Sequence, residues 1–177
     1  NFCGEQDSLT YISRYNSDIN FFKFYFPINA NYATNIPDLK IKYDCIYFGQ
    51  LSKIKGTEDF IKVISELKIK LPEIKACIVG PGDPKPFFRI AEAHNVINNI
   101  QFVGFVESQK ILFEFVKSSS IFLAPPHKER VSSTIREAMS LKIPIIAYAT
   151  GGIPYINEFS ENILLVETGD YQGMAQK

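Results

Sequence analysis

Hydrophobic and polar positions along this chain follow two patterns that succeed one another repeatedly. Short β-branched or apolar runs that end in glycine or proline predict buried strands, and longer segments with apolar residues three or four positions apart predict amphipathic helices. Strands are predicted at 44–49, 75–80, 100–104, 120–124, 143–148 and 163–166. Regular alternation of strands and helices predicts right-handed βαβ units, and therefore an α/β fold with a doubly wound parallel sheet.

A helix is predicted after each of the first three strands. One spans 84–94, between the second and third strands. The helix that starts at Thr57, with Glu58 and Asp59 in its first turn, is predicted to bury Phe60, Val63, Ile64 and Leu67. The helix capped by Ser108 is predicted to bury Ile111, Leu112, Phe115 and Val116. Both helices would cover the sheet through these apolar stripes.

The carboxyl ends of parallel strands meet at one edge of a sheet, and ligands of doubly wound folds bind there. The turns predicted at this edge contain Gly49, Gly80, Gly104, the loop around Glu129, and Gly151-Gly152. The chemistry of the chain is therefore expected at this edge.

Glu129 and Glu137 lie eight positions apart, between the fourth strand and the helix after it. Ser132, Ser133 and Thr134 stand between them as natural helix N-caps. A helix N-terminus with free N–H groups binds anions, commonly phosphate. Two carboxylates beside such a site suit the recognition of ribose and hexose hydroxyls next to a diphosphate. The spacing alone is equally compatible with two solvated surface glutamates.

In this order, the segments resemble the C-terminal, donor-binding half of a retaining glycosyltransferase of family 4 (group 1), with the two-domain GT-B architecture. The resemblance covers about 41–177. It rests on the run from Glu129 to Met139, on the turn from Gly49 to Gly56, and on the strand that leads into Gly151-Gly152. It implies a Rossmann-like doubly wound sheet at 41–177, truncated at its end, and makes 1–40 the end of a preceding domain and the interdomain connector.

The resemblance also implies roles for the charged residues. Glu129 would contact hydroxyls of the donor sugar, and Glu137 would hydrogen-bond the ribose. Lys55 would pair with the diphosphate and stabilise charge on the leaving group, so Lys55 and Glu129 are the candidate catalytic residues.

Further donor contacts are implied for the turns around the site. Backbone N–H groups at Ser132, Ser133 and Thr134 would hold phosphate oxygens. Gly49 and Gln50 would border the diphosphate where the first strand ends. The base would lie near 104–106, beside Val106.

Several positions depart from the family's pattern. Gln50 stands where an arginine usually supplies a second cation, and charge-assisted hydrogen bonds are about twice as strong as neutral ones. Val131-Ser132 replaces the usual Phe-Gly, so Ser132 could crowd a ligand that approaches the backbone. Pro126 and Tyr155 replace a usual serine and glutamate. These changes leave weak, altered or lost donor binding open.

Composition limits the partners. With 177 residues the chain is one domain, or one domain plus a connecting segment. Lys+Arg and Asp+Glu both number 19, so no net charge attracts nucleic acid. No run approaches the about 20 apolar residues of a membrane span, and peripheral membrane association of the full enzyme is left open. The chain lacks an initiator Met, which suggests a fragment.

Cysteines and histidines give further expectations. Cys45 and Cys77 fall in predicted buried strands, and with Cys3 they favour a reducing, cytoplasmic setting. His94 and His127 have no second ligand pattern, so no metal site is predicted, and His127 is interpreted as a surface residue. Lys128 and Arg130 are interpreted as solvated charges beside Glu129, with a role as replacements for the missing arginine kept open.

The sequence therefore predicts the donor-binding half of an enzyme that moves a sugar from a nucleotide-diphosphate sugar to a glycan, lipid or other acceptor, as in polysaccharide biosynthesis. No metal or other cofactor is expected, and the isolated fragment is expected to be inactive. The alternative is a non-catalytic nucleotide-sugar-binding or degenerate module. A nicotinamide-dependent reductase is disfavoured because Gly80-x-Gly82 lacks the third glycine of a dinucleotide fingerprint. An epimerase of the same fold would need acid/base residues that the sequence does not suggest.

Overall fold

Six parallel strands form one sheet in the computed structural model, which describes residues 36–158 and 162–177 together with Arg14 and Ala33. The strands are β1 (Tyr43–Phe48), β2 (Ala76–Val79), β3 (Ile100–Gly104), β4 (Ser119–Ala124), β5 (Ile145–Tyr148) and β6 (Ile163–Val166). Their order is β3-β2-β1-β4-β5-β6, and every neighbouring pair is parallel. The predicted doubly wound, Rossmann-like α/β fold is confirmed.

Helices connect the strands. They are α1 (Thr57–Lys70), α2 (Lys85–Ala93), α3 (Gln109–Lys117), α4 (Ser133–Ser140), α5 (Ile153–Asn157) and α6 (Tyr171–Gln176), with a 3-10 turn at Ile97–Asn99. Most boundaries lie within one residue of the prediction. The strand predicted from 143 begins only at Ile145, because the Ile143 N–H closes the end of α4 on the Ala138 carbonyl and Pro144 has no N–H. Within the described ranges, every helix is too short or too polar to cross a membrane.

Alternate side chains of each strand enter two apolar layers on opposite faces of the sheet. Tyr47 packs in the first layer, with α1, α2 and α6. Ile46 and Phe48 pack in the second layer, with α3, α4 and α5. Cys45 and Cys77 are buried and free, one in each layer, and burial raises the pKa of both thiols to about 12. The predicted burial of these two cysteines is confirmed; Cys3 lies outside the described residues.

The helix stripes agree with the sequence at α1 and differ at α3. Phe60, Val63 and Ile64 of α1 are fully buried, as predicted. On α3, Phe113 and Val116 are buried, whereas Ile111 is 47% exposed, so the predicted stripe was wrong at its first member. The helix meets the second layer through Leu112, Phe113, Phe115 and Val116, so Phe113 takes the place predicted for Ile111.

The sheet order reverses between β1 and β4. The strands before this point wind outward through β2 to β3, and those after it wind outward through β5 to β6. The loops that leave β1 and β4 therefore diverge and open a crevice at the carboxyl edge, where doubly wound folds bind ligands. The turn 49–56 and the loop 125–132 border this crevice.

The predicted division at 40/41 stays a prediction, since residues 1–13, 15–32, 34 and 35 lie outside the described ones. Ile36 is already buried in the second apolar layer. Asp38 forms an ion pair with Lys117 of α3 at 3.2 Å. The segment just before 41 therefore packs on the sheet domain.

Candidate functional site

A cavity of about 320 Å³ opens at the carboxyl ends of β1 and β4. Its walls combine the turn after β1, the loop after β4 and the first turn of α4. The predicted site residues that line it are Gly49, Gln50, Lys55, Glu129, Ser132, Ser133 and Thr134. Residues from two separate segments of the chain thus share one cavity at the point where the sheet order reverses.

Lys55 and Glu129 contact each other directly in this cavity. The Lys55 Nζ lies 2.9 Å from the Glu129 Oε2, and the Glu129 side chain is only 13% exposed. The other carboxylate oxygen accepts a hydrogen bond from the Arg130 N–H at 3.0 Å. The charges of this pair balance, and both carboxylate oxygens have a partner before any ligand arrives.

Tyr47 of β1 anchors the turn that carries Lys55 through hydrogen bonds. Its hydroxyl donates to the backbone carbonyls of Gln50 at 2.7 Å and Lys55 at 3.3 Å. Burial raises the pKa of Tyr47 to about 12, so the phenol stays a donor near neutral pH. At the end of the turn, Gly56 has a φ of 82°, and a Cβ there would overlap the Pro125 carbonyl. The turn after β1 and the loop after β4 are therefore in backbone contact.

The loop that carries Glu129 rests on the Gly151-Gly152 turn. A Cβ on Gly151 would overlap the Glu129 carbonyl oxygen, and a Cβ on Gly152 would overlap the Arg130 carbonyl oxygen. Gly151 also has a φ of 55°, in the left-handed region. Glycine is required at both positions because the two backbones approach so closely. The backbone position of Glu129 is thus fixed by a turn after β5.

The first turn of α4 forms the third wall of the cavity. Ser132 caps the helix, since its Oγ accepts a hydrogen bond from the Ile135 N–H at 3.3 Å. The Thr134 hydroxyl lies 3.1 Å from the same oxygen. The first N–H groups of an α-helix have no partner inside the helix, and Ser133 and Thr134 line the cavity within this turn. The predicted N-cap is confirmed at Ser132.

Glu137 lies further along α4 and is absent from the cavity lining. Its side chain is half-buried, and burial raises the pKa of the carboxyl, an effect that Arg136 partly offsets. Within the described part of the chain, no hydrogen bond to this carboxylate is formed. Partly buried carboxyl groups with raised pKa values are common in functional sites.

Val106 also lies outside the cavity lining. It follows β3 and packs against the second apolar layer, while its neighbour Phe105 is 70% exposed. Lys128 and Arg130 are exposed and do not line the cavity either. The structure therefore brings Lys55 and Glu129 together and leaves Val106 and Glu137 outside the same cavity.

The sequence interpretation missed a polar network around Asp59. The Asp59 side chain is almost fully buried and lies 2.8 Å from the Nε2 of His127. The Tyr148 hydroxyl donates to the same carboxylate at 2.9 Å. His127 is exposed, as predicted, but its ring also reaches back to α1, a contact that the sequence interpretation did not include. The available signal was that Asp59 shares the buried face of α1 with Val63, one turn later.

Metal-binding groups are also scattered. In residues 36–158 and 162–177, no three His, Cys, Asp or Glu side chains come close enough to hold a metal ion together.

Residues 35–177 match the family of group 1 glycosyl transferases, and the chain belongs to that family. Among curated relatives, N-acetyl-alpha-D-glucosaminyl L-malate synthase of Bacillus anthracis is 25% identical over 132 residues, which are 75% of this chain and 34% of that protein. The chain spans about a third of the length of the curated relatives that it matches.

Solved structures share the fold. Sucrose-phosphate synthase from Thermosynechococcus elongatus is 20% identical with a TM-score of 0.72, over 98% of this chain and 46% of that one. HepE from Anabaena, solved in complex with UDP, is 22% identical with a TM-score of 0.66, over 76% of this chain and 37% of that one. These likenesses are to one part of larger proteins, and they agree with the parallel sheet described above.

Proposed function

We propose that this chain is the donor-binding part of a retaining glycosyltransferase, which moves a sugar from a nucleotide-diphosphate sugar to a glycan, lipid or other acceptor. The observation that carries the proposal is the contact of Lys55 with Glu129 in a cavity beside the N-terminus of α4. This arrangement offers a cation and helix N–H groups to a diphosphate, and a carboxylate to sugar hydroxyls.

Catalysis in this proposal is mainly electrostatic. As the bond to the donor sugar breaks, negative charge grows on the departing diphosphate, and Lys55 stabilises it as a point charge. Glu129 accepts hydrogen bonds from the sugar hydroxyls and orients the ring for transfer. Ser133 and Thr134 hold phosphate oxygens through their N–H groups, and Gln50 adds a neutral donor where a second cation would give a stronger contact.

The nucleoside is proposed to extend beyond the cavity. Glu137 accepts hydrogen bonds from the ribose, a role that its half-buried carboxylate supports. The base lies near Val106 at the end of β3. Retaining stereochemistry is proposed on the resemblance of the Glu129–Met139 run to family 4 enzymes, and no metal or other cofactor is included.

The acceptor side of the enzyme is proposed to come from an N-terminal domain of the same protein. Support comes from the length of the relatives, of which this chain matches about a third. We propose a cytoplasmic setting for the whole enzyme, with any membrane association peripheral. Closure of two domains excludes water and completes a site, so the chain by itself is expected to bind donor without transferring sugar.

Calorimetric titration with nucleosides and nucleoside diphosphates tests the donor role. The wild-type chain should bind at least one diphosphate more tightly than its nucleoside. Lys55→Ala should lose about tenfold or more in diphosphate affinity, the scale of one charge-assisted contact, and little in nucleoside affinity. Lys53→Ala is the matched control, because Lys53 belongs to the same turn and its side chain is 80% exposed. Absence of binding to every nucleotide, or equal losses in both variants, would overturn the proposal.

Gln50 favours a second candidate, a non-catalytic module that binds nucleotide sugars. The two candidates agree on binding and differ in turnover. Transfer or hydrolysis of donor by the full-length protein, abolished by Lys55→Ala, supports the enzyme. Tight donor binding by a full-length protein that consumes no donor in the presence of a panel of acceptors supports the module.

A further inference from the structure

Asp59 connects three elements of the fold outside the proposed donor cavity. It lies in the first turn of α1 and is 6% exposed. Its Oδ2 accepts a hydrogen bond from Tyr148, the last residue of β5, and lies 2.8 Å from the Nε2 of His127, on the loop after β4. Lys62 approaches the other oxygen at 3.5 Å. We call Asp59, His127 and Tyr148 the Asp59 brace.

The hydrogen-bond directions in the Asp59 brace follow from the chemistry of its members. Burial, and then the hydrogen bond to Asp59 and its charge, raise the pKa of Tyr148, so the phenol keeps its proton. An ionised carboxylate only accepts hydrogen bonds. His127 must then carry a hydrogen on Nε2 and donate a hydrogen bond to Asp59. The ring is also held edge-on against Tyr148, with centroids 5.8 Å apart.

His127 links the Asp59 brace to both charged residues of the cavity. Its backbone N–H donates to the Ile54 carbonyl at 2.8 Å, directly before Lys55. Its own carbonyl accepts from the Thr150 hydroxyl at 3.4 Å, and Glu129 follows it two positions later. One residue therefore touches the turn that carries Lys55 and belongs to the loop that carries Glu129.

We propose that Asp59 and His127 are positioning residues that hold Glu129 against Lys55, and that they thereby set how strongly the site prefers a nucleotide sugar to a bare nucleoside diphosphate. The ligand part of this inference rests on the proposed function. A buried carboxylate lowers stability unless it is hydrogen-bonded, and well-packed apolar residues are often at least as stable. The contact of Asp59 with His127 is therefore better explained as a means of positioning the loop that carries Glu129 than as a source of folding stability.

Two substitutions of His127 separate positioning from general stability. His127→Ala removes the contact with Asp59. His127→Gln keeps a side-chain N–H donor able to reach it. His94→Ala is the matched control, because His94 is the other histidine of the chain and is exposed after α2.

The ligand readout is the ratio of the dissociation constants for a nucleoside diphosphate and its nucleotide sugar. His127→Ala should reduce this ratio about five- to tenfold, the scale of one net hydrogen bond. His127→Gln should restore most of the ratio, and His94→Ala should leave it unchanged. A His127→Ala variant with the wild-type ratio would overturn the inference. A general loss of stability would instead weaken both ligands alike, and this outcome also counts against positioning.

The amide of Arg130 gives a readout that needs no ligand. Because this N–H donates to the Glu129 Oε1 at 3.0 Å, its NMR shift and hydrogen-exchange rate report where the carboxylate lies. In His127→Ala the Arg130 signal should move and its exchange should quicken, with recovery in His127→Gln. An unchanged Arg130 signal in His127→Ala would overturn the inference, whether or not the chain binds a nucleotide. A wild-type chain that binds no nucleotide would overturn only the proposed function. If His127→Ala does not fold, His127→Leu replaces it with the same readouts, since Leu fills much of the space of the ring and still removes the contact with Asp59.

Discussion

At the scale of single residues, the cavity contains an ion pair formed by its own side chains. Lys55 and Glu129 are 2.9 Å apart, and the pair is partly shielded from water. Under the proposed function, a diphosphate entering the cavity would compete with Glu129 for the lysine, whereas a nucleotide sugar would bring hydroxyls that engage the displaced carboxylate. The two ligands should therefore respond in opposite directions to loss of the Glu129 charge.

Glu129→Gln tests this competition. The amide no longer pairs with Lys55, so the affinity for a nucleoside diphosphate should rise about threefold to tenfold, the scale of a partly exposed ion pair. Affinity for the nucleotide sugar should fall, because a neutral amide accepts hydrogen bonds from hydroxyls less strongly. Calorimetry with both ligands measures the two effects. Equal losses for the two ligands would contradict the separate roles of Lys55 and Glu129.

Glu137 gives a prediction about pH. Burial raises the pKa of its folded-state carboxyl above the ordinary value of 4.5, so the folded state binds this proton more tightly than the unfolded state does. The contribution of Glu137 to stability is therefore lost as pH rises through and above that value. Glu137→Gln should melt at a higher temperature than wild type at pH 7, and the difference should shrink below about pH 4.

The control for this prediction is Glu92→Gln, at an exposed position in α2. That substitution should leave the melting temperature nearly unchanged at both pH values. If Glu137 binds ribose as proposed, Glu137→Gln also weakens nucleotide binding while it stabilises the fold. A melting temperature that does not depend on the Glu137 substitution at neutral pH would show that the carboxylate is better solvated than its burial implies.

At the scale of elements, the position of Glu129 depends on the turn after β5. Gly151 and Gly152 press against the carbonyls of Glu129 and Arg130, so the loop after β4 lies on a surface without side chains. Gly169 has a φ of 91° as well, yet nothing lies within 4 Å of its Cβ position. Gly151 and Gly169 both adopt a left-handed backbone conformation, but only at Gly151 do other atoms approach the position of a Cβ.

Gly151→Ala and Gly169→Ala form a matched pair on this basis. Both substitutions force a left-handed backbone conformation that costs about 1–2 kcal/mol for an L-residue. Gly151→Ala should lower the free energy of unfolding by about 2 kcal/mol more, because the new methyl group must displace the Glu129 carbonyl. It should also weaken nucleotide-sugar binding, which Gly169→Ala should spare. Denaturant unfolding and calorimetry check both points, and equal destabilisation of the two variants would show that the loop yields at little cost.

The elements that carry the cavity were predictable because they depend on local pattern. Lys55 and Glu129 stand on segments that directly follow strands, and parallel topology alone brings such segments to one edge. The contact of His127 with Asp59 joins residues 68 positions apart and depends on how a loop folds back. The face of α3 was ambiguous, since Ile111 and Phe113 both belong to apolar stripes and only packing against the sheet decides between them.

At the scale of the whole molecule, the proposed function makes this chain one wall of a cleft. The relatives extend well beyond the region matched here. We predict that residues 1–177 alone produce no transferred sugar with any donor that they bind, because the proposed acceptor wall belongs to another domain. Product analysis with a bound donor and a panel of acceptors measures this, beside the full-length protein as control. Sustained transfer by the isolated chain would contradict the half-enzyme proposal.

The strand order reverses between β1 and β4, and we call this boundary between the two halves of the sheet the seam. Lys55 follows β1, on the half that contains β2 and β3, and Glu129 follows β4, on the half that contains β5 and β6. A molecule bound between them bridges the seam, so separating the halves requires releasing it. By mass action, a ligand at 100 times its dissociation constant adds about 2.7 kcal/mol to the free energy of unfolding. Occupancy of the cavity would thus couple two halves that are already joined by the pairing of β1 with β4, by the packing of α1 with α6 and by the hydrogen bond of Tyr148 to Asp59.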